Sequence, residues 1–136
     1  MKRLLILLFA LATLFSCSVG DDSPNTYMEI LPVESASLPD EFERGEVYEI
    51  SLTYLRVSNC HTFSDIYYTK EANKRTVAIV ATVFVNNENC ISSNDELETS
   101  FNFEVTNSDS YIFKFWQGED EYGEDQYLIV EVPVVD

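Results

Sequence analysis

Past residue 16 no stretch of the chain repeats its apolar side chains at a helical spacing; what recurs is alternation with a period of two. That period, enriched in β-branched and aromatic residues, marks β-strands, because successive side chains on an extended chain point to opposite faces. The clearest case is residues 97–105, LETSFNFEV. Leu97, Thr99, Phe101, Phe103 and Val105 share one phase and Glu98, Ser100, Asn102 and Glu104 the other, so one face is expected buried and one wet. Residues 47–57 alternate Tyr48, Ile50, Leu52 and Tyr54 against Glu49, Ser51 and Thr53. Residues 76–85 are nearly continuous in apolar side chains, which predicts a central strand covered on both faces. Residues 110–116 set Tyr111, Phe113 and Phe115 on one side and Ile112, Lys114 and Trp116 on the other. Residues 127–135 end the chain with Leu128, Val130, Val132 and Val134 in phase, and residues 28–33 and 62–69 are weaker strand candidates. Pro32 and Pro133 have no N–H to give a ladder, so each predicts a sheet edge. About seven strands separated by polar turns predict an all-β, antiparallel β-sandwich.

Two segments refine that expectation. Asn107-Ser108-Asp109-Ser110-Tyr111 resembles the turn that enters the sixth strand of immunoglobulin-like domains, where a Tyr hydroxyl bonds back to the backbone. The closing pattern, residues 111–115, an acidic Gly-containing turn and residues 127–132, resembles the final hairpin of such bacterial modules. The resemblance implies an immunoglobulin-like β-sandwich over residues 28–136. Phe113 stands where antibody-type domains carry their second cysteine, so a disulfide here joins other positions.

The opening, MKRLLILLFALATLFSCS, reads as a targeting segment. Lys2 and Arg3 precede about twelve apolar residues, fewer than the ~20 a spanning helix needs. Leu14-Phe15-Ser16-Cys17 resembles the lipobox of bacterial lipoproteins. That resemblance implies a signal peptide over residues 1–16 and a lipid anchor on Cys17, and hence a membrane partner. Residues 17–27 are small, polar and acidic and predict a flexible tether. The pair Asp21-Asp22 resembles the export signal of Bacteroidetes-type lipoproteins, which implies the outer membrane of the cell envelope and its surface face. Of the three cysteines, lipid on Cys17 leaves Cys60 and Cys90 to pair. The polar stretch 70–75 between the two intervening runs can turn, which puts both cysteines at the open end of a hairpin.

Charge narrows the partners. The formal net charge is −16, and both leader bases, Lys2 and Arg3, are lost with residues 1–16, leaving six bases against 24 acids, or −18. Such a field repels phosphate backbones and anionic headgroups, so no nucleic-acid partner is expected. It is compatible with a basic protein partner or loosely held divalent cations, and solubility alone explains it as well.

Candidate chemistry is sparse. His61, the single histidine, adjoins Cys60, but neighbours on an extended chain face opposite ways and make a poor nucleophilic pair. A Cys60, His61, Cys90 metal set lacks a fourth ligand. No phosphate loop or serine-nucleophile motif is present, and the many carboxylates crowd one turn rather than face each other across a cleft. No catalytic residue and no cofactor are therefore assigned. The turn GEDEYGED, residues 118–125, offers oxygen ligands, making Asp120, Glu121, Glu124 and Asp125 weak calcium candidates. The alternative is a solvated hairpin loop in which Gly118 and Gly123 supply positive φ. Trp116, Tyr122 and Tyr127 flank this loop and are candidate ligand contacts, able to stack on sugar rings or anchor a protein. The competing reading puts Trp116 in the sandwich core or under a neighbouring loop, and core burial is favoured. The expectation is a non-enzymatic surface lipoprotein with a binding or structural role; a carbohydrate-binding module of a glycan-uptake system is the alternative, and a loop-presenting inhibitor a weaker third.

Overall fold

The computed structural model describes residues 25–85 and 89–136; the leader, Cys17 and the tether as far as residue 24 lie outside the described residues. The described chain forms ten strands: β1 (Thr26–Leu31), β2 (Val33–Ser37), β3 (Phe42–Glu43), β4 (Val47–Ser58), β5 (His61–Glu71), β6 (Lys74–Phe84), β7 (Ser92–Glu104), β8 (Tyr111–Glu119), β9 (Asp125–Val132) and β10 (Val134–Val135). The fold is all-β, as the alternation predicts, and its layers are those of a sandwich.

The larger sheet is centred on β6. Strand β5 pairs along one edge of β6, from His61 opposite Val83 to Glu71 opposite Lys74. The other edge is shared: β1 pairs antiparallel with Ile79–Phe84, and β8 pairs parallel with Lys74–Val77. Strand β9 then flanks β8. The smaller sheet runs β2–β4–β7, and β3 and β10 form a short parallel pair. The parallel β6–β8 neighbourhood departs from the antiparallel expectation. It exists because β1 covers only half of that edge and leaves the start of β6 free. The strand number also differs from about seven, partly because prolines divide two runs. Pro32 separates β1 from β2, where the chain passes from one sheet to the other, and Pro133 separates β9 from β10. Strand β1 begins at Thr26, paired with Phe84, two residues before the strand candidate read from the sequence.

Alternation explains which side chains are inside. Ile50, Leu52 and Tyr54 of β4, Phe103 of β7, Val105 just beyond it, and Tyr111, Phe113 and Phe115 of β8 are buried, each in the phase read from the sequence. On β6 the inner set Val77, Ile79, Ala81 and Val83 is buried. Of its outer set Ala78 is buried but Thr76, Val80 and Thr82 are only half-buried, so among the described residues no full third layer covers this strand. Phe42, from the two-residue β3, fills the middle of the aromatic core. Its ring lies 4.9 Å from Tyr48, 5.4 Å from Phe103, 6.0 Å from Tyr111 and 6.1 Å from Phe113, centroid to centroid. Each such buried ring contributes about 1.5–3 kcal/mol by its removal from water.

Two local features hold the layers in register. The Tyr111 hydroxyl accepts the N–H groups of Thr106 (3.0 Å) and Asn107 (2.8 Å), fastening the loop before β8 as its turn sequence predicts. Burial alone would raise the pKa of this hydroxyl, but these bonds, the Thr106 side chain and the Arg75 charge together hold it below the ordinary 10.0. The second feature is a disulfide between Cys60 and Cys90, whose Cα atoms are 5.5 Å apart. It closes the open end of the β5–β6 hairpin, where the Phe84 N–H also donates to the Cys60 carbonyl (3.1 Å).

Candidate functional site

The aromatic candidates divide. Trp116 of β8 and Tyr127 of β9 stand directly opposite each other in the ladder, so their rings share one face. Both are half-buried, and the face they share is the outer surface of the larger sheet, away from the core. Trp116 therefore does not enter the core, contrary to the favoured expectation. The reason is phase: Phe113 and Phe115 already take the inward positions of β8, and the odd–even rule sends Trp116 out. Tyr122 sits at the tip of the β8–β9 loop, 81% exposed, and does not line the cleft that Trp116 and Tyr127 form.

That outer cleft, about 560 Å³, is walled by Met28, Ile30, Tyr67, Ala78, Trp116 and Tyr127, with Glu119 and Asp125 at one end. The Trp116 indole N–H donates to Asp125 Oδ1 (2.9 Å), which fixes both the ring and the carboxylate. Lys114 Nζ lies 4.3 Å from the centre of the Tyr127 ring, so one ring face already holds a cation. The cleft thus joins flat apolar rings with oriented acceptors.

The acidic loop is organised by its own hydrogen bonds. Asp120 Oδ1 accepts the N–H groups of Tyr122 (2.8 Å) and Glu124 (2.9 Å), and Gln126 Nε2 reaches Asp120 Oδ2 (3.3 Å). Gly118 and Gly123 take φ of 100° and 78°, the left-handed region a turn of this kind needs. Asp120 is engaged by the loop itself and Asp125 by Trp116. Among the described residues no group of three or more His, Cys, Asp or Glu side chains is placed to hold a metal ion.

His61 has partners that sequence neighbourhood did not reveal. Its Nδ1 lies 2.6 Å from Ser58 Oγ and its Nε2 2.7 Å from Glu29 Oε2 on β1. Ser58 Oγ also accepts the Cys60 N–H (3.2 Å). The string ties β1 to β5 across β6, and neither Ser58 nor His61 lines the outer cleft or the lateral one described next.

The lateral cleft, about 810 Å³, opens between β5 and β7, which are edge strands of different sheets. Its apolar walls are Phe63, Ile66, Tyr68, Phe101 and Phe103. Tyr68 and Phe101 meet edge to face across the two sheets, 5.9 Å between centroids. Arg75 also lines the cleft and is 6% exposed. Its Nη1 donates to the carbonyls of Ala72 (2.8 Å) and Lys74 (2.9 Å), and its Cζ lies 5.0 Å from the Tyr111 ring centre. Burial raises the Tyr68 pKa, against the charge and hydrogen bond of Arg75. No sequence pattern pointed to this role, since Arg75 stands in a polar run that reads as a turn.

The chain matches no protein-family model, no curated protein and no solved structure.

Proposed function

We propose that this chain is a non-enzymatic lipoprotein of the bacterial cell envelope, anchored in the outer membrane through Cys17 and carrying an immunoglobulin-like β-sandwich that binds carbohydrate. The anchor, the signal peptide over residues 1–16 and the surface location rest on the leader and the acidic pair that follows Cys17. The immunoglobulin-like reading is supported by the Tyr111 hydroxyl, bonded back to Thr106 and Asn107, and by the closing β8–β9 hairpin. The parallel β6–β8 pair makes it a variant of that plan.

One observation carries the carbohydrate reading: Trp116 lies in register with Tyr127 on the outer face, not in the core. Flat rings suit the C–H faces of a sugar, and Asp125 and Glu119 beside them accept hydroxyl hydrogen bonds. A binding role is favoured over catalysis because Ser58 and His61 line neither cleft, and of their hydrogen-bonded string only Glu29 borders the outer one.

A glycan array followed by calorimetry tests the ligand class. Trp116→Ala is expected to weaken the captured glycan at least about tenfold, or ~1.4 kcal/mol, while Tyr122→Ala leaves it unchanged. Absence of any captured glycan, or equal loss in both variants, refutes the reading. The anchor is tested separately by intact mass spectrometry of membrane-extracted protein, which should show acyl chains on Cys17.

A further inference from the structure

We infer that the lateral cleft between β5 and β7 is a second binding site, separate from the Trp116 face, for a small amphipathic carboxylate: an apolar chain or ring bearing one negative charge that Arg75 receives. The chain holds 24 acids and eight bases, so a guanidinium should find a carboxylate easily. Yet Arg75, nine-tenths buried, makes no ion pair within 4 Å among the described residues; the two pairs present are Arg56–Asp95 and His61–Glu29. Its Nη1 is held by two backbone carbonyls, whereas its Nε is buried with no partner at all.

A buried cation is normally paired or otherwise hydrogen-bonded, because a buried donor left unsatisfied is costly, and more so when it is charged. The Tyr111 ring offsets part of that cost. Arg75 lines the cleft, so an entering carboxylate brings its guanidinium the counter-charge it lacks, in a charge-assisted bond. The walls specify the rest of the ligand. Phe63, Ile66 and Phe101 project from the inner faces of the two sheets but stay partly open to solvent, as core residues without a covering layer. A cleft of about 810 Å³ is of small-molecule size. Lys70 adds a second cation at the cleft, while Asp65 and Glu104 also line it and are exposed. Those two carboxylates disfavour a dianion, so a monocarboxylate fits best.

The test compares decanoate with 1-decanol, equal in chain length and different in charge, by calorimetry and by the ¹⁵N–¹H signal of the Arg75 Nε–H group in the full chain. Decanoate is expected to bind at least about tenfold tighter, a difference of ~1.4 kcal/mol, and to shift that signal. Arg75→Gln should erase the preference. Because Arg75 also braces the β5–β6 turn, Thr99→Trp serves as a second variant that fills the cleft from β7: it should abolish decanoate binding with the melting temperature kept. Equal affinity for the two probes, no binding at about 1 mM decanoate (a threshold near −4 kcal/mol), or binding that survives Thr99→Trp overturns the proposal. So does capture of an extended apolar peptide without capture of decanoate, which would assign the cleft to strand addition at the unpaired edges.

Discussion

The two lateral sides of this sandwich are built from similar residues and finished in different ways. On one side the chain closes the gap between sheets with short pieces. β1 passes into β2 at Pro32, Gln117 Nε2 donates to the Val33 carbonyl (3.1 Å), and the Phe42 N–H donates to the Pro133 carbonyl (2.8 Å). The β3–β10 pair carries Phe42 into the core with no exposed surface. On the other side β5 and β7 face each other, and among the described residues no strand lies between them. Phe63, the same residue type, is there 40% exposed. A phenylalanine thus stabilises the fold where an extra strand covers it and forms a binding wall where none does. What separates the two fates is not the side chain but the presence of a third element.

Breaking the closed side should have the largest effect. Phe42→Ala is expected to cost about 3–5 kcal/mol in urea unfolding, and Phe63→Ala about 1 kcal/mol or less, since partial exposure leaves a smaller cavity. Equal losses would mean that the open side is as structural as the closed one. Next comes the disulfide, which tethers the start of β5 to the segment leading into β7. Its removal in the Cys60→Ser, Cys90→Ser double variant should cost roughly 3–4 kcal/mol on the chain-entropy model. Amide exchange should then speed up in β5 and β7 more than in β3 and β10; uniform acceleration would dissolve the contrast between the sides.

The smallest effect is a pH dependence at the open side. Burial raises the Tyr68 pKa above 10.0, and burial likewise raises Tyr54 against the Arg56 charge. A raised folded pKa favours the protonated form in the fold. The stability each contributes is therefore complete below the unfolded value near 10 and is lost as pH climbs through the raised one. Tyr68→Phe removes one of these titrations and should flatten the fall in melting temperature above about pH 10. An unchanged slope would exclude Tyr68 as a contributor.

Much of the fold was legible because alternation is a local signal. The odd phase of residues 97–105 faces inward as read, and so do Ile50, Leu52 and Tyr54 and the Tyr111, Phe113, Phe115 set. Cysteine pairing was legible through parity, and the Tyr111 corner through its turn sequence. Trp116 was not. Both phases of residues 111–116 are largely apolar, so composition did not settle which side the indole took. The β6–β8 pairing was also invisible, because residues 76–85 are apolar in both phases and accept a neighbour in either direction.

The candidate sites were legible only in part. Trp116 and Tyr127 were recognised as possible contacts, but Tyr122, grouped with them by sequence proximity, belongs to the loop alone. Arg75 and the His61–Glu29 pair had no sequence signal, since the Arg75 partners are backbone carbonyls and Glu29 lies on a strand far away in the chain.

By itself the sequence determined the period of the strands, the face most of them present inward and the acidic surface. These follow from chain geometry and residue chemistry over a few positions. Tertiary structure alone decided which strands became neighbours, which side of the sandwich stayed open and which cation was buried without a counter-charge. Those outcomes depend on how distant segments compete for the same edges, and a period of two carries no record of that competition.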